Sequence, residues 1–176
     1  MITSGRSWIF GDNIAFDGGM LPVRFQKADT LDPTKLLPYL MTDLDPEFPN
    51  RIQKGDTIVA GEAFGSGNFH PHALIAMKYA GVYVVAESVT RGFYRMAVSV
   101  GLWFVPICPG ITKLAQNGGA MSVNYLTGEI VTDAGTARYE PLPAIPREII
   151  EVGSEEQFVI KKLKEEQSLK EELTHG

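Results

Sequence analysis

The stretch Gly61-Glu62-Ala63-Phe64-Gly65-Ser66-Gly67-Asn68-Phe69-His70-Pro71-His72 gathers residues suited to holding an anion. Its three glycines let the backbone turn tightly or approach a ligand closely. A buried strand is predicted before it, over 56–60, and a helix after it, over 73–80, with Pro71 suited to the first turn. Unpaired N–H groups converge at such a strand–loop–helix junction and favour negative charge. A tight connection with no ligand satisfies the same pattern, and both readings stand. Gly65-Ser66-Gly67 lacks the third glycine of a dinucleotide fingerprint, and Ser66 lacks the flanking glycines of a hydrolase nucleophile elbow. Asp17, next to Gly18-Gly19, reads as an ordinary turn or as a charge held at a strand end. Arg24 reads as an anion contact or a surface group. Cys108 ends an apolar run and reads as a small core residue rather than a nucleophile.

A frame of alternating elements must position these groups. Strands are predicted over 6–10, 56–60, 82–86 and 102–107, with helices over 73–80 and 91–100 between the last three. That order calls for a parallel sheet with right-handed crossovers. Gly81 and Gly101 sit where left-handed caps end the helices. Residues 20–25, interrupted by Pro22, form at most an edge strand. Asp32 caps a short helix reaching Met41, with Leu36, Leu37 and Leu40 as its apolar side. The loop over 42–50 can be anchored by Phe48. Beyond a short helix over 111–116, a hairpin is predicted over 120–132 across Leu126-Thr127-Gly128, then a strand over 136–140. Pro141, Pro143 and Pro146 form a stiff connection. The charged end, 155–173, reads as a helix whose start is docked by Phe158, Val159 and Leu163 and whose remainder frays, leaving His175 solvated.

The 176 residues suffice for one domain with a sizeable core. Sixteen Lys and Arg against 21 Asp and Glu give a formal charge of -5, which argues against nucleic acid as the main partner. A single cysteine excludes a disulfide framework and a protein-ligated iron–sulfur cluster held by this chain alone. No signal-peptide pattern or run of 18 apolar residues is visible, so no membrane partner is expected and a cytoplasmic setting is the default.

Several motifs at linked spacing resemble a known family. Gly61-Glu62-x-Phe64-Gly65-x-Gly67, Ala86-x-Ser88 and Phe93-Tyr94-Arg95-x-Ala97-x-x-x-Gly101-Leu102 look like the small subunit of 3-isopropylmalate dehydratase, itself similar to the swivelling domain of aconitase. Phe10-Gly11-Asp12-Asn13-Ile14, Leu44-Asp45-Pro46-Glu47-Phe48-Pro49 and Glu140-Pro141-Leu142-Pro143 extend the resemblance over roughly residues 5–165. It implies an α/β fold: a swivelling β/β/α domain of aconitase type with a partly parallel sheet. Residues 1–150 would form its body, and 151–176 a charged C-terminal helix and tail of the same domain. It also implies that this chain carries no cluster. A large subunit would hold a [4Fe–4S] cluster and bind a small hydroxy carboxylic acid, while this chain closes over it and presents the glycine loop.

The family loop usually reads Gly-Glu-Asn-Phe-Gly-Cys-Gly-Ser-Ser-Arg-Glu-His. Its first serine exchanges the proton and its arginine grips a substrate carboxylate. Here those positions fall on Asn68 and His70. An asparagine amide does not transfer protons as an alkoxide does, although it can donate to a developing oxyanion. Histidine replaces a permanently charged fork by a ring suited to proton transfer or to a proton-dependent anion contact. A structural cap or surface role is the alternative for His70. His72 lies two positions on, so the two rings are not expected on one helical face or in one metal site. The family's Asp-Thr-Asp becomes Ala15-Phe16-Asp17, leaving Asp17 as the active-site-facing carboxylate, with one residue inserted before Pro22. The resemblance thus implies Asn68, His70 and Asp17 as catalytic candidates. Gly65, Ser66, Gly67, His70, Arg91 and Arg95 are the substrate-binding candidates, although the two arginines serve equally to meet a partner subunit. Two functions follow: a component of an aconitase-like hydro-lyase, inactive alone, or a non-catalytic relative that binds a small acid or regulates a partner. Self-association is left open.

Overall fold

In the computed structural model, which describes residues 1–27 and 30–175, seven strands form one sheet. In chain order the elements are β1 (Ile2–Ile9), α1 (Pro33–Leu36), α2 (Phe48–Arg51), β2 (Thr57–Ala60), α3 (His72–Ala80), β3 (Tyr83–Ala86), α4 (Arg91–Val100) and β4 (Phe104–Val105). They are followed by α5 (Ile111–Leu114), β5 (Ala120–Asn124), β6 (Glu129–Thr132), β7 (Gly135–Arg138), α6 (Ala144–Val152) and α7 (Glu155–His175). The strand order is β4-β3-β2-β1-β5-β6-β7, parallel from β4 to β1 and antiparallel from β1 to β7.

The two halves follow from their burial. Every residue of β2 is buried, as in a parallel strand covered on both faces, whereas β5 and β7 alternate between more and less exposed positions. The first strand serves both halves: Ser7–Ile9 pairs with β2 and Ile2–Arg6 with β5. It therefore begins four residues before the predicted start. Gly5, just before the predicted start, lies so close to Gly55 that an added Cβ would stand 2.5 Å from that residue's carbonyl carbon.

Helices α3 and α4 pack side by side, α1 joins α3, and α6 and α7 lie on α4. Asp32 caps α1 by accepting from the Thr34 N–H. The left-handed ends at Gly81 and Gly101 are present, and α4 matches its predicted bounds. The connection over 42–50 tightens into α2, whose Phe48 is fully buried edge-on to Trp8 and Phe10.

Some expectations fail for tertiary reasons. Residues Val23–Lys27 form a 3-10 turn rather than a strand; only Leu21 makes an isolated bridge, to Asp17. Pro146 lies in the first turn of α6, where its missing N–H has no intrahelical partner to lose. Helix α3 starts at Pro71's successor, His72, so Pro71 is its N-cap rather than a helical residue. At the C-terminus, α7 is helical to His175; Val159 and Leu163 stay exposed, so of the three docking residues only Phe158 is half-buried. The His175 side chain lies outside the described residues.

Cys108 is 2% exposed, and burial together with the Glu87 carboxylate pushes its thiol up from the ordinary value. Folding thus favours the neutral thiol. That contribution is complete below the unfolded thiol's pKa and is lost as pH rises through the raised native one. A thiol-reactive dye at pH 8 is expected to leave the native chain unlabelled and to label it fully in denaturant. Rapid native labelling would show a reactive cysteine instead.

Candidate functional site

The parallel strands β1, β2 and β3 run side by side, so their C-terminal loops meet at one end of the sheet, the usual place for ligands in such sheets. The loop after β2 is clamped between the other two. On one side Gly61 N–H donates to Gly11 O (3.1 Å), Glu62 N–H to Asp12 Oδ1 (2.7 Å), and Asn13 N–H returns to Glu62 O (2.7 Å). On the other side Ala63 N–H reaches Ser88 Oγ (2.9 Å) and Phe64 N–H reaches Ser88 O (3.0 Å). Ala63 is held at φ 55, a left-handed conformation that asparagine adopts more readily than alanine.

The middle of the loop is fastened too. Gly65 and Ser66 N–H both donate to Ile14 O, at 2.8 and 3.2 Å, and Phe16 N–H donates to Ser66 O at 3.1 Å. Thr90, the N-cap of α4, donates its hydroxyl to Gly65 O and accepts from Phe93 N–H. The Ser66 hydroxyl donates to Asn13 O at 3.3 Å. The amides of Gly65 and Ser66, read from sequence as free to face an anion, are therefore spent on the neighbouring backbone. Gly65 is buried, whereas Gly67, Asn68 and Phe69 form the exposed tip.

Beyond the tip stand three titratable side chains in a row. His70 Nε2 lies 2.5 Å from Asp17 Oδ1, and His70 Nδ1 lies 3.1 Å from His72 Nδ1. The His70 and Asp17 side chains are only 15% and 11% exposed. His70 precedes the first residue of α3, so helical angles do not separate its ring from that of His72. The expectation of diverging rings is thereby corrected: their centroids are 5.0 Å apart. Because both nitrogens of His70 are engaged, this geometry does not leave the ring open for the expected carboxylate grip. His72 is the participant that sequence reading passed over; recognising that the helix begins at His72 was the signal needed.

An aromatic floor lies under the loop. Phe16 is 5.8 Å from the His70 ring and 6.2 Å from Phe93, which meets Phe64 and Phe104 edge-on. On the outer face of α4, Arg91 and Arg95 are exposed and form no ion pair among the described residues. A cavity of about 320 Å³ is lined by both arginines with Thr90, Tyr94 and Ile107. A second, of about 310 Å³, is lined by Phe69, Tyr94 and Arg95. Burial pushes the Tyr94 phenol up, so it stays a hydrogen-bond donor near neutrality. Among the described residues no group of three or more His, Cys, Asp or Glu is placed to hold a metal ion, and no helix is long and apolar enough to cross a membrane.

Known proteins share this layout. No family model matches the chain. The isopropylmalate/citramalate isomerase small subunit of Methanocaldococcus jannaschii is 38% identical over 169 residues, covering 94% of this chain and 98% of that protein. The 3-isopropylmalate dehydratase small subunit 1 of Methanopyrus kandleri is 40% identical over 155 residues, covering 86% and 89%. A crystal structure of 3-isopropylmalate dehydratase from Methanocaldococcus jannaschii superimposes with a TM-score of 0.86 at 35% identity, covering 97% of this chain and 99% of that one.

Proposed function

The chain belongs to the family of 3-isopropylmalate dehydratase small subunits, with the α/β fold of the aconitase swivelling domain, and from that premise we propose that it is one component of a hydro-lyase. The reaction is the hydration or dehydration of a small hydroxy carboxylic acid, completed by a large subunit bearing a [4Fe–4S] cluster. The observation that carries this reading is the clamped glycine loop, set at the C-terminal ends of β1–β3 beside Asp17, His70 and the exposed Arg91 and Arg95. Such a rigid loop presents Gly67, Asn68 and Phe69 to a partner at little entropic cost.

This chain's residues do not fit the cluster. Its one cysteine is buried, whereas a [4Fe–4S] centre needs several thiolates. When bound to the partner, the cluster would supply Lewis-acid chemistry to the substrate's hydroxyl and carboxylate. The work left to this chain is to enclose the acid, offer Arg91 and Arg95 as carboxylate contacts, and exchange a proton.

A second reading, a non-catalytic relative that binds a small acid or regulates a partner, is favoured by Asn68 standing where the family has its serine. One experiment separates the two: the purified chain is mixed with an iron–sulfur large subunit and assayed with isopropylmalate and citramalate. No turnover by the chain alone and turnover on mixing are expected. Turnover without a partner would overturn the assignment, and a stable but inactive complex would favour the second reading.

A further inference from the structure

Resting on the hydro-lyase reading, we propose that Asp17 is the proton-exchanging base of this site and that His70 and His72 are its positioning residues. The chain lacks a hydroxyl at residue 68, so the proton must go elsewhere. Asn68 has no titratable group. His70 has both nitrogens occupied, by Asp17 and by His72. Asp17 is different: its Oδ1 meets His70, but its Oδ2 makes no hydrogen bond among the described residues.

The bonding order is dictated by donor chemistry. A carboxylate only accepts, so the proton between Asp17 and His70 belongs to Nε2 of the ring. With Nε2 protonated, the Nδ1 of a neutral His70 is an acceptor, and the contact with His72 then requires His72 to carry its proton on Nδ1. Each ring thereby fixes the tautomer of the next, and the row holds the carboxylate in one orientation. Segment 14–21 brings Asp17 to the His70 ring, the head of α3 brings His72, and Phe16, whose ring also meets that of His70, does not titrate. Neither Arg91 nor Arg95 on α4 makes an ion pair with Asp17 that would occupy it.

In dehydration the C–H bond beside a substrate carboxylate breaks and its proton moves to Asp17 Oδ2. The freed electron pair becomes the new C=C bond, and the C–O pair leaves with the hydroxide. Hydration runs the same steps in reverse. The Nε2–H of His70 stays on Oδ1 throughout, so the base keeps its aim while its charge changes.

Two measurements test this. Nitrogen-15 NMR of the histidine rings in the isolated full chain at pH 8 is expected to show His70 protonated on Nε2 and His72 on Nδ1. His70 protonated on Nδ1 instead would overturn the proposal without bearing on the family function. In the reconstituted complex, Asp17→Asn is expected to lower kcat by about 10²–10⁴-fold, the range for loss of a general base, with binding of the partner unchanged. His72→Phe, which keeps a ring but no nitrogen, should lower kcat less and displace the pH–rate profile at constant KM. Full activity in Asp17→Asn, or an unmoved pH profile in His72→Phe, would overturn the proposal. If the parent complex turns over no hydroxy acid, the hydro-lyase reading fails, and with it the catalytic role assigned here; the NMR result then stands as a statement about the row of side chains alone.

Discussion

Gly65→Ala is expected to destabilise the chain by about 2–5 kcal/mol, combining a left-handed conformation forced on an L-residue with overpacking. Gly65 has φ +82, and a Cβ there would stand 2.4 Å from Phe93 Cβ. Neither side yields easily: Phe93 is fully buried between Phe64 and Phe104, and Gly65 is held by Ile14 O and the Thr90 hydroxyl. At this chain length the cost corresponds to a fall in Tm of about 4–20 °C. Gly67→Ala is the internal control. Its φ is also positive, at +80, but the nearest atom to its Cβ would be Ala15 Cβ at 3.9 Å. It should therefore incur only the conformational part, about 1–2 kcal/mol. Equal Tm values for the two variants would mean that Gly65 does not press on the aromatic floor, and the picture of a loop seated on Phe93 would fall.

Asp56→Ala should cost about 3–6 kcal/mol, because it strands three donors at about 1–3 kcal/mol each, partly relieved by water at the half-buried ones. Asp56 is 2% exposed; Oδ1 accepts from Arg6 N–H at 2.8 Å, and Oδ2 accepts from the Trp8 indole N–H at 2.8 Å and Gln53 N–H at 3.0 Å. These bonds join β1 to the turn before β2, the junction on which both halves of the sheet depend. With domain stabilities of about 5–15 kcal/mol, the alanine variant approaches the threshold for folding. Asp56→Asn keeps the shape and one acceptor oxygen, so it should unfold at a urea concentration between those of the parent and Asp56→Ala. Trp8 fluorescence in urea titrations reads all three proteins. An Asp56→Ala variant as stable as the parent would show that the buried carboxylate holds nothing together.

Much of this was legible in the residues. Helix α4 ends at Gly101 because glycine takes the left-handed cap without strain, and the β5–β6 hairpin turns at Leu126-Thr127-Gly128 because Asn124 Oδ1 accepts from the Leu126 and Thr127 N–H groups. The family, too, was legible, since its motifs are runs of local backbone demands at constant spacing. Each of these features depends on contacts within a few residues, so the local order of residue types sets its energy. The other outcomes depend on groups distant in sequence. That the first strand reaches back to Ile2 depends on β5, more than 110 positions away, and whether the Gly65 and Ser66 amides are free depends on Ile14 O. His70 and Asp17 were each identified as candidates, but 53 residues separate them, and no local preference of either encodes their meeting. His72 was set aside on helical geometry that holds only inside a helix, and the helix begins at His72 itself. A side chain's chemistry is intrinsic to its residue, whereas its hydrogen-bond partner is whatever the folded chain brings within 3 Å, which only the packed tertiary structure decides.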